Sequence, residues 1–233
     1  MLALARECNA DIWLFTEVHA DWALPGYTTL VSEPRSGAPE RKRWSGIARR
    51  DTLRVTSIPL EDPGPTDERL CLARISDPGQ RRPDFLVACS VLSWSNTTWS
   101  WPTLHPPGLY DDFASRFRAV PTSHVQRIVS ARRADDVVIW GGDFNQSLTG
   151  RVLGSRAGRS ALLAAFDDLA LDPPTANARH LIDGALSIDH LAVSSDWTEA
   201  SSVTVITRED DPRQASDHAL YLIDIRLRPA ADA

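Results

Sequence analysis

The sequence predicts an α/β fold of packed sheets flanked by a few helices. Three observations predict it. Short apolar runs bounded by turn residues outnumber helical stretches. Many of these runs follow one another with no helix between them, which argues against a simple alternation of strand and helix. One of them, Phe85–Leu92 (FLVACSVL), is apolar throughout, as in a strand covered on both faces. With 233 residues and no segment that reads as a linker, the chain is expected to form a single domain over 1–233.

The elements follow in order. Leu2, Leu4 and Ala5 fit a short helix that breaks at Asn9. Asp11–Thr16 reads as a buried strand with Glu17 at its end. Further strands are expected over Tyr27–Ser32, Trp44–Arg49, Leu53–Ile58, Arg69–Ile75 and Phe85–Leu92, with turns at Pro25-Gly26, Pro63-Gly64-Pro65 and Pro78-Gly79. Residues 93–108 form a long loop carrying Trp94, Trp99 and Trp101. Leu109–Arg118 and Val125–Arg133 read as two helices interrupted near Pro121, the second with Val125, Ile128 and Val129 as its apolar stripe. A strand over Val137–Trp140 is expected to end in a turn at Gly141-Gly142. A helix over Ser155–Leu169 has Leu162, Leu163, Phe166 and Leu169 on its inner face. Ser187–Ser194, Ser202–Ile206 and Ala219–Leu227 complete the strands.

Composition narrows the function classes. The net charge of −6 excludes a generally basic nucleic-acid binder, although Arg41-Lys42-Arg43 and Arg132-Arg133 form local clusters. No apolar run is long enough to span a membrane. Three cysteines, two of them inside apolar runs, read as buried free thiols, and MLALARECNADIW lacks a secretory pattern. A cytoplasmic location is the expectation.

Four polar clusters sit at the edges of apolar runs: Thr16-Glu17, Asp143-Phe144-Asn145, Asp189-His190 and Ser216-Asp217-His218. Charge at a buried strand end is costly unless paired or bound to metal, so four such clusters predict one shared polar pocket. Its oxygen-rich inventory suits a hard cation, Mg²⁺ first and Mn²⁺ next. Zinc is disfavoured because no Cys/His ligand spacing is present. Metal-assisted hydrolysis of a phosphoester is the chemistry this set suits. A Ser216-Asp217-His218 triad does not fit, since neighbouring side chains in an extended segment face opposite ways.

The order FTEVH, GGDFNQ, SIDHLAV, SDHALYLIDI resembles the endonuclease/exonuclease/phosphatase superfamily over nearly the whole chain. That superfamily includes DNase I-like nucleases, abasic-site endonucleases, inositol polyphosphate 5-phosphatases and neutral sphingomyelinases. The resemblance implies a four-layer α/β sandwich of two packed, mostly antiparallel sheets with helices outside. It also implies a Mg²⁺-dependent enzyme acting on nucleic acid or a small phosphoester. By position, Glu17 and Asp217 resemble the family's metal ligands. Asp143 resembles the aspartate that handles the attacking water, and Asn145 its hydrogen-bonding neighbour. His218 resembles the histidine that contacts the scissile phosphate, and Asp189 the carboxylate that orients it.

Two features depart from the pattern. Relatives begin with a strand ending in an asparagine, whereas this sequence starts within the helix. Relatives also carry a histidine near the end of the FLVACSVL strand, where this chain has Cys89, Ser90 and Val91. His105 and Tyr110 are the candidates to replace it. The alternative to an enzyme is therefore a non-catalytic or impaired member acting as a binding module.

Overall fold

The computed structural model describes residues 2–60, 64, 66–79, 83–93, 113–207, 209–212 and 216–228. The expected loop with Trp94, Trp99 and Trp101, and the candidates His105 and Tyr110, lie outside the described residues.

The chain runs α1 (Leu2–Cys8), β1 (Ile12–Thr16), β2 (Tyr27–Val31), β3 (Ser45–Arg50), β4 (Arg54–Ser57), β5 (Leu70–Ser76) and β6 (Phe85–Val91). It continues through α2 (Phe113–Ala131), β7 (Val137–Asp143), α3 (Arg156–Asp168), β8 (Leu171–Asp172), β9 (Asp189–Ser194), β10 (Thr198–Ile206) and β11 (Leu220–Leu227). Short 3-10 turns occupy Asp67–Arg69 and Pro174–Asn177.

Side-chain alternation along the strands builds the layers. One six-stranded sheet has the order β4-β5-β6-β7-β9-β8, with only β6 and β7 parallel. Its even-numbered core residues Leu86, Ala88, Val138 and Trp140 pack against Phe117, Ile128, Leu162 and Phe166 of α2 and α3. Its odd-numbered residues Val87, Cys89 and Ile139 face the second layer of strands, meeting Ile47, Leu14 and Ile223. That second layer is the three-stranded β1-β3-β2 sheet and the β10-β11 pair. On its outer side Trp13, Phe15, Leu220 and Leu222 gather with Ala5 of α1. The result is an α/β sandwich of two strand layers, with helices outside both.

The second layer is interrupted. Among the described residues, β1 pairs only with β3 and β11 only with β10. A cavity of about 1580 Å³ is lined by both strands, including Leu14, Phe15, Leu222 and Ile223, and it reaches the polar residues Asp189 and His218.

Several expectations are corrected. The strand at Val137 does not turn at the two glycines; it continues through them to Asp143. The glycines serve close packing instead. A Cβ on Gly141 would meet Leu14 of the facing sheet at 2.7 Å, and one on Gly142 would sit 2.0 Å from the Ser90 carbonyl oxygen. Gly142 also has φ +134°, outside the range of ordinary side chains.

Pro121 does not divide two helices, because α2 runs through it. Phe117, Val120, His124 and Ile128, all fully buried, hold that face on the sheet, so tertiary packing overrides the missing N–H. Of the expected stripe, Ile128 is buried and Val125 packs against the core, but Val129 is 54% exposed and its place is taken by His124. Leu163 is likewise 39% exposed, its inner-face place on α3 taken by Ala165. Ser155 caps that helix, accepting a hydrogen bond from Gly158 N–H. Cys8, Cys71 and Cys89 form no disulfide, and burial pushes Cys71 up to about 12, which leaves it inert. No helix among the described residues is long and apolar enough to cross a membrane.

Candidate active site

Strand register brings the site together. β7 and β9 are antiparallel, and the pairing that starts at Ile139↔Val193 ends with Asp143 directly opposite Asp189. Two carboxylates facing each other would repel. The conflict is relieved by His218, just before β11, whose Nδ1 lies 3.0 and 2.9 Å from the two oxygens of Asp189. His218 is set by its own turn, its N–H donating to Ser216 Oγ. Ligand-type atoms of Asp143, Asp189 and His218 all lie within 4.8 Å of one another.

The electrostatics follow from this geometry. The hydrogen bond that His218 donates to Asp189 raises the His218 pKa to about 9, against the opposing effect of burial. His218 is therefore an imidazolium near neutral pH. Burial first, and the Asp189 charge next, push Asp143 up to about 7, while His218 pulls it down. Two groups of opposite proton state thus stand side by side, an arrangement common at catalytic sites.

Asn145 follows in a strained turn. Its φ of +54° is left-handed, its backbone N–H donates to Asp143 Oδ1 at 3.0 Å, and its Nδ2 donates to Leu92 O at 3.0 Å. Glu17 also has φ +54°, which is costlier for glutamate than for asparagine. Both positions are among the four non-glycine residues with positive φ in the described part of the chain, and such strain concentrates at functional sites. Glu17 is exposed and stands outside the compact group, yet its charge acts on Asp143. Asp217 is exposed beside His218, whose proton its charge favours.

The remaining histidines do other work. His190 points away from Asp189 by strand alternation and is 2% exposed. Its Nε2–H donates to Gln146 O at 2.9 Å, and burial lowers it to about 4. His19 is exposed beside Asp21. Near the end of β6, where the family resemblance implies a histidine, the Ser90 hydroxyl accepts from Trp140 Nε1–H at 2.8 Å and reaches His124 Nδ1 at 3.0 Å. His124 Nε2–H then serves Thr66 O at 3.2 Å, so this buried chain is internally satisfied. Sequence reasoning missed a cationic group next to Glu17: Arg35 and Arg69, both stacked on Trp44. No spacing rule would have found them, since loop closure brings them together.

The donors in the compact group fit a hard divalent cation: Asp143 and Asp189 offer carboxylate oxygens, and among the described residues no thiolate joins them, while Glu17 and Asp217 stand exposed outside the group. Within the compact group, a charged His218 already bound to Asp189 is a poor metal ligand, which leaves the cation to the carboxylates.

A family model described as Endonuclease/Exonuclease/phosphatase family matches residues 1–218. Among solved structures, the chain is similar to the endonuclease domain of TRAS1, a telomere-specific non-LTR retrotransposon. The two are 18% identical over 97% of this chain and 90% of that one, with a TM-score of 0.64. It is also similar to the human Nocturnin catalytic domain with bound sulfate anion, at 17% identity over 97% and 85%, TM-score 0.63. An AP endonuclease from Archaeoglobus fulgidus matches at 14% identity over 96% and 93%, TM-score 0.62. These likenesses bear on fold. No curated protein sequence matches. With the family model spanning residues 1–218 and the sheet-edge site in place, the chain belongs to the endonuclease/exonuclease/phosphatase family.

Proposed function

We propose that the protein is a Mg²⁺-dependent phosphoester hydrolase, a phosphodiesterase, nuclease or phosphatase, in which Mn²⁺ can replace Mg²⁺. The observation that carries this reading is the His218–Asp189 pair, doubly hydrogen-bonded and placed opposite Asp143. Family membership supports the reaction class.

In this reading Glu17 and Asp217 hold the cation. The cation would supply Lewis-acid polarisation of the phosphoryl oxygen. Asp143 takes a proton from the attacking water, a task suited to a carboxylate whose pKa has been raised toward neutrality. Asn145 keeps Asp143 aimed through its backbone N–H, while its side-chain amide, donating to Leu92 O, ties the turn to the end of β6. His218 donates from its imidazolium to a phosphate oxygen as negative charge develops there. Asp189 holds that ring in one orientation and keeps it charged.

Purified protein with Mg²⁺ is expected to hydrolyse bis-p-nitrophenyl phosphate, and Asp143→Ala to lower the rate by about 10²–10⁴-fold. Equal rates in wild type and variant would refute the reading and favour a binding module.

A further inference from the structure

Beside Glu17 stands an arrangement that the acid–base pair does not use. Arg35 Nη1 lies 3.4 Å from Glu17 Oε1. The same guanidinium sits 3.5 Å from the centre of the Trp44 ring, and that of Arg69 sits 3.9 Å from it. Two cations on one indole repel each other, so each must be held by something else.

The surroundings do hold them. Arg69 is 3% exposed and donates through Nη1 to Val91 O at 3.4 Å. Glu68 accepts the Trp44 Nε1–H at 3.0 Å on one oxygen and the Ser36 N–H at 2.7 Å on the other. Arg35 N–H donates to Lys42 O at 3.0 Å. The turn that carries Glu68 and Arg69 is itself anchored: buried Asp67 accepts from Gly64 N–H, Ser123 Oγ and the Arg127 guanidinium.

Arg35 is thus fixed through its backbone neighbour and its stacking surface, with a side chain only 21% exposed, whereas the Glu17 side chain is 64% exposed. An exposed ion pair at this distance contributes little by itself. The indole and the pinned loop set the position of Arg35, and Glu17 is the partner it happens to reach. A guanidinium held over an aromatic ring keeps N–H groups available to phosphate oxygens.

We propose that Arg35 is a phosphate-binding residue held in reserve by Glu17. While the Glu17 carboxylate carries no cation, Arg35 pairs with it. When a divalent cation takes that carboxylate, the attraction is lost, and the guanidinium, still seated on Trp44, serves an oxygen of the substrate phosphate. This rests on the hydrolase reading, which places a cation at Glu17. Arg69, buried against Val91 O, stays in place and keeps the indole fixed. The proposal gives this chain a cationic phosphate contact from the β2–β3 loop.

The test measures Mn²⁺ and inorganic phosphate binding separately, without turnover. Mn²⁺ binding to the metal-free protein is followed by electron paramagnetic resonance, and phosphate binding to the Mn²⁺-loaded protein by calorimetry. Arg35→Ala is expected to tighten Mn²⁺ several-fold, because a competitor for Glu17 is gone, and to weaken phosphate about tenfold. Arg35→Lys, which keeps the charge but loses the stack, is expected to fall between on phosphate. A thermal melt of each variant confirms that it is folded. If wild type binds Mn²⁺ and Arg35→Ala matches it on both ligands, or shifts both in the same direction, the proposal is overturned alone. If wild type binds no Mn²⁺, the hydrolase reading falls and the exchange falls with it.

Discussion

The two layers of strands are built to different standards, and the site draws on both. The six-stranded sheet is continuous, with β6 and β7 buried on both faces and its polar groups closed on one another in the Trp140–Ser90–His124–Thr66 chain. It supplies Asp143, Asn145 and Asp189. The second layer is split between β3-β1 and β10-β11, with a cavity of about 1580 Å³ between the two exposed edges. It supplies Glu17 and His218, one from each side of that gap. In the proposed reading, the continuous sheet fixes where water would meet its proton acceptor. The split layer brings up Glu17, which in the proposed reading holds the cation, and the His218 imidazolium, each engaged in an ion pair. On the proposed roles, the proton acceptor stands on the continuous sheet, and the groups that would meet a cation and a phosphate stand on the split layer.

The largest expected effect breaks the rigid side. Gly142→Ala forces a Cβ against the Ser90 carbonyl oxygen, a backbone atom with no freedom to yield, and is expected to cost about 3 kcal/mol or more. A urea melt with a midpoint near that of wild type would show that β6 and β7 can separate, and the contrast drawn above would fail.

Acid should find the same side. Burial lowers both His124 and His190 to about 4, from an ordinary value near 6.5. Below pH about 6.5 the unfolded chain takes up protons that the folded one refuses, so stability falls with falling pH until about 4. The loss is roughly 3 kcal/mol for each histidine at the end of that range. His218 works in the opposite direction: its raised pKa stabilises the fold below about 6.5, an effect lost as pH climbs toward 9. Stability is therefore expected to peak near neutrality, and His124→Gln to flatten the acid slope. An unchanged slope in that variant would remove His124 from the account.

Amide exchange sharpens the comparison directly. The β10–β11 pair and β1 border the cavity, so their amides are expected to exchange well before those of β6 and β7. Equal protection across both layers would mean that the gap is closed in solution.

The smallest expected effect concerns strain. Glu17→Gly relieves a left-handed backbone and should stabilise the protein by up to about 1 kcal/mol while abolishing cation binding. A variant that loses both stability and binding would show that Glu17 is structural.

Much of this organisation was legible in the sequence, for identifiable reasons. Strands such as Phe85–Val91 announce themselves because burial on both faces demands an unbroken apolar run. The clusters around Glu17, Asp143, Asp189 and His218 stood out because polar groups at buried strand ends need a purpose. What stayed hidden depends on contacts between distant segments. Gly141 and Gly142 read as a turn until the approach of Leu14 and Ser90 is known. Pro121 read as a break because local propensity carries no information about Phe117 and His124 docking on the sheet. The opposition of Asp143 and Asp189 is a matter of register, and the Arg35–Trp44–Arg69 stack is a matter of loop closure. Neither leaves a pattern along the chain.

The central claim is that Asp143 and His218 act as a proton acceptor and a charged donor on one phosphoester. Its most direct test is the rate of bis-p-nitrophenyl phosphate hydrolysis with saturating Mg²⁺, followed from about pH 5 to about pH 10. The rate is expected to rise through about 7 as Asp143 loses its proton and to fall past about 9 as His218 loses its own. His218→Gln should abolish the alkaline fall along with most of the rate. A profile without either limb, or a His218→Gln variant as active as wild type, would contradict the account.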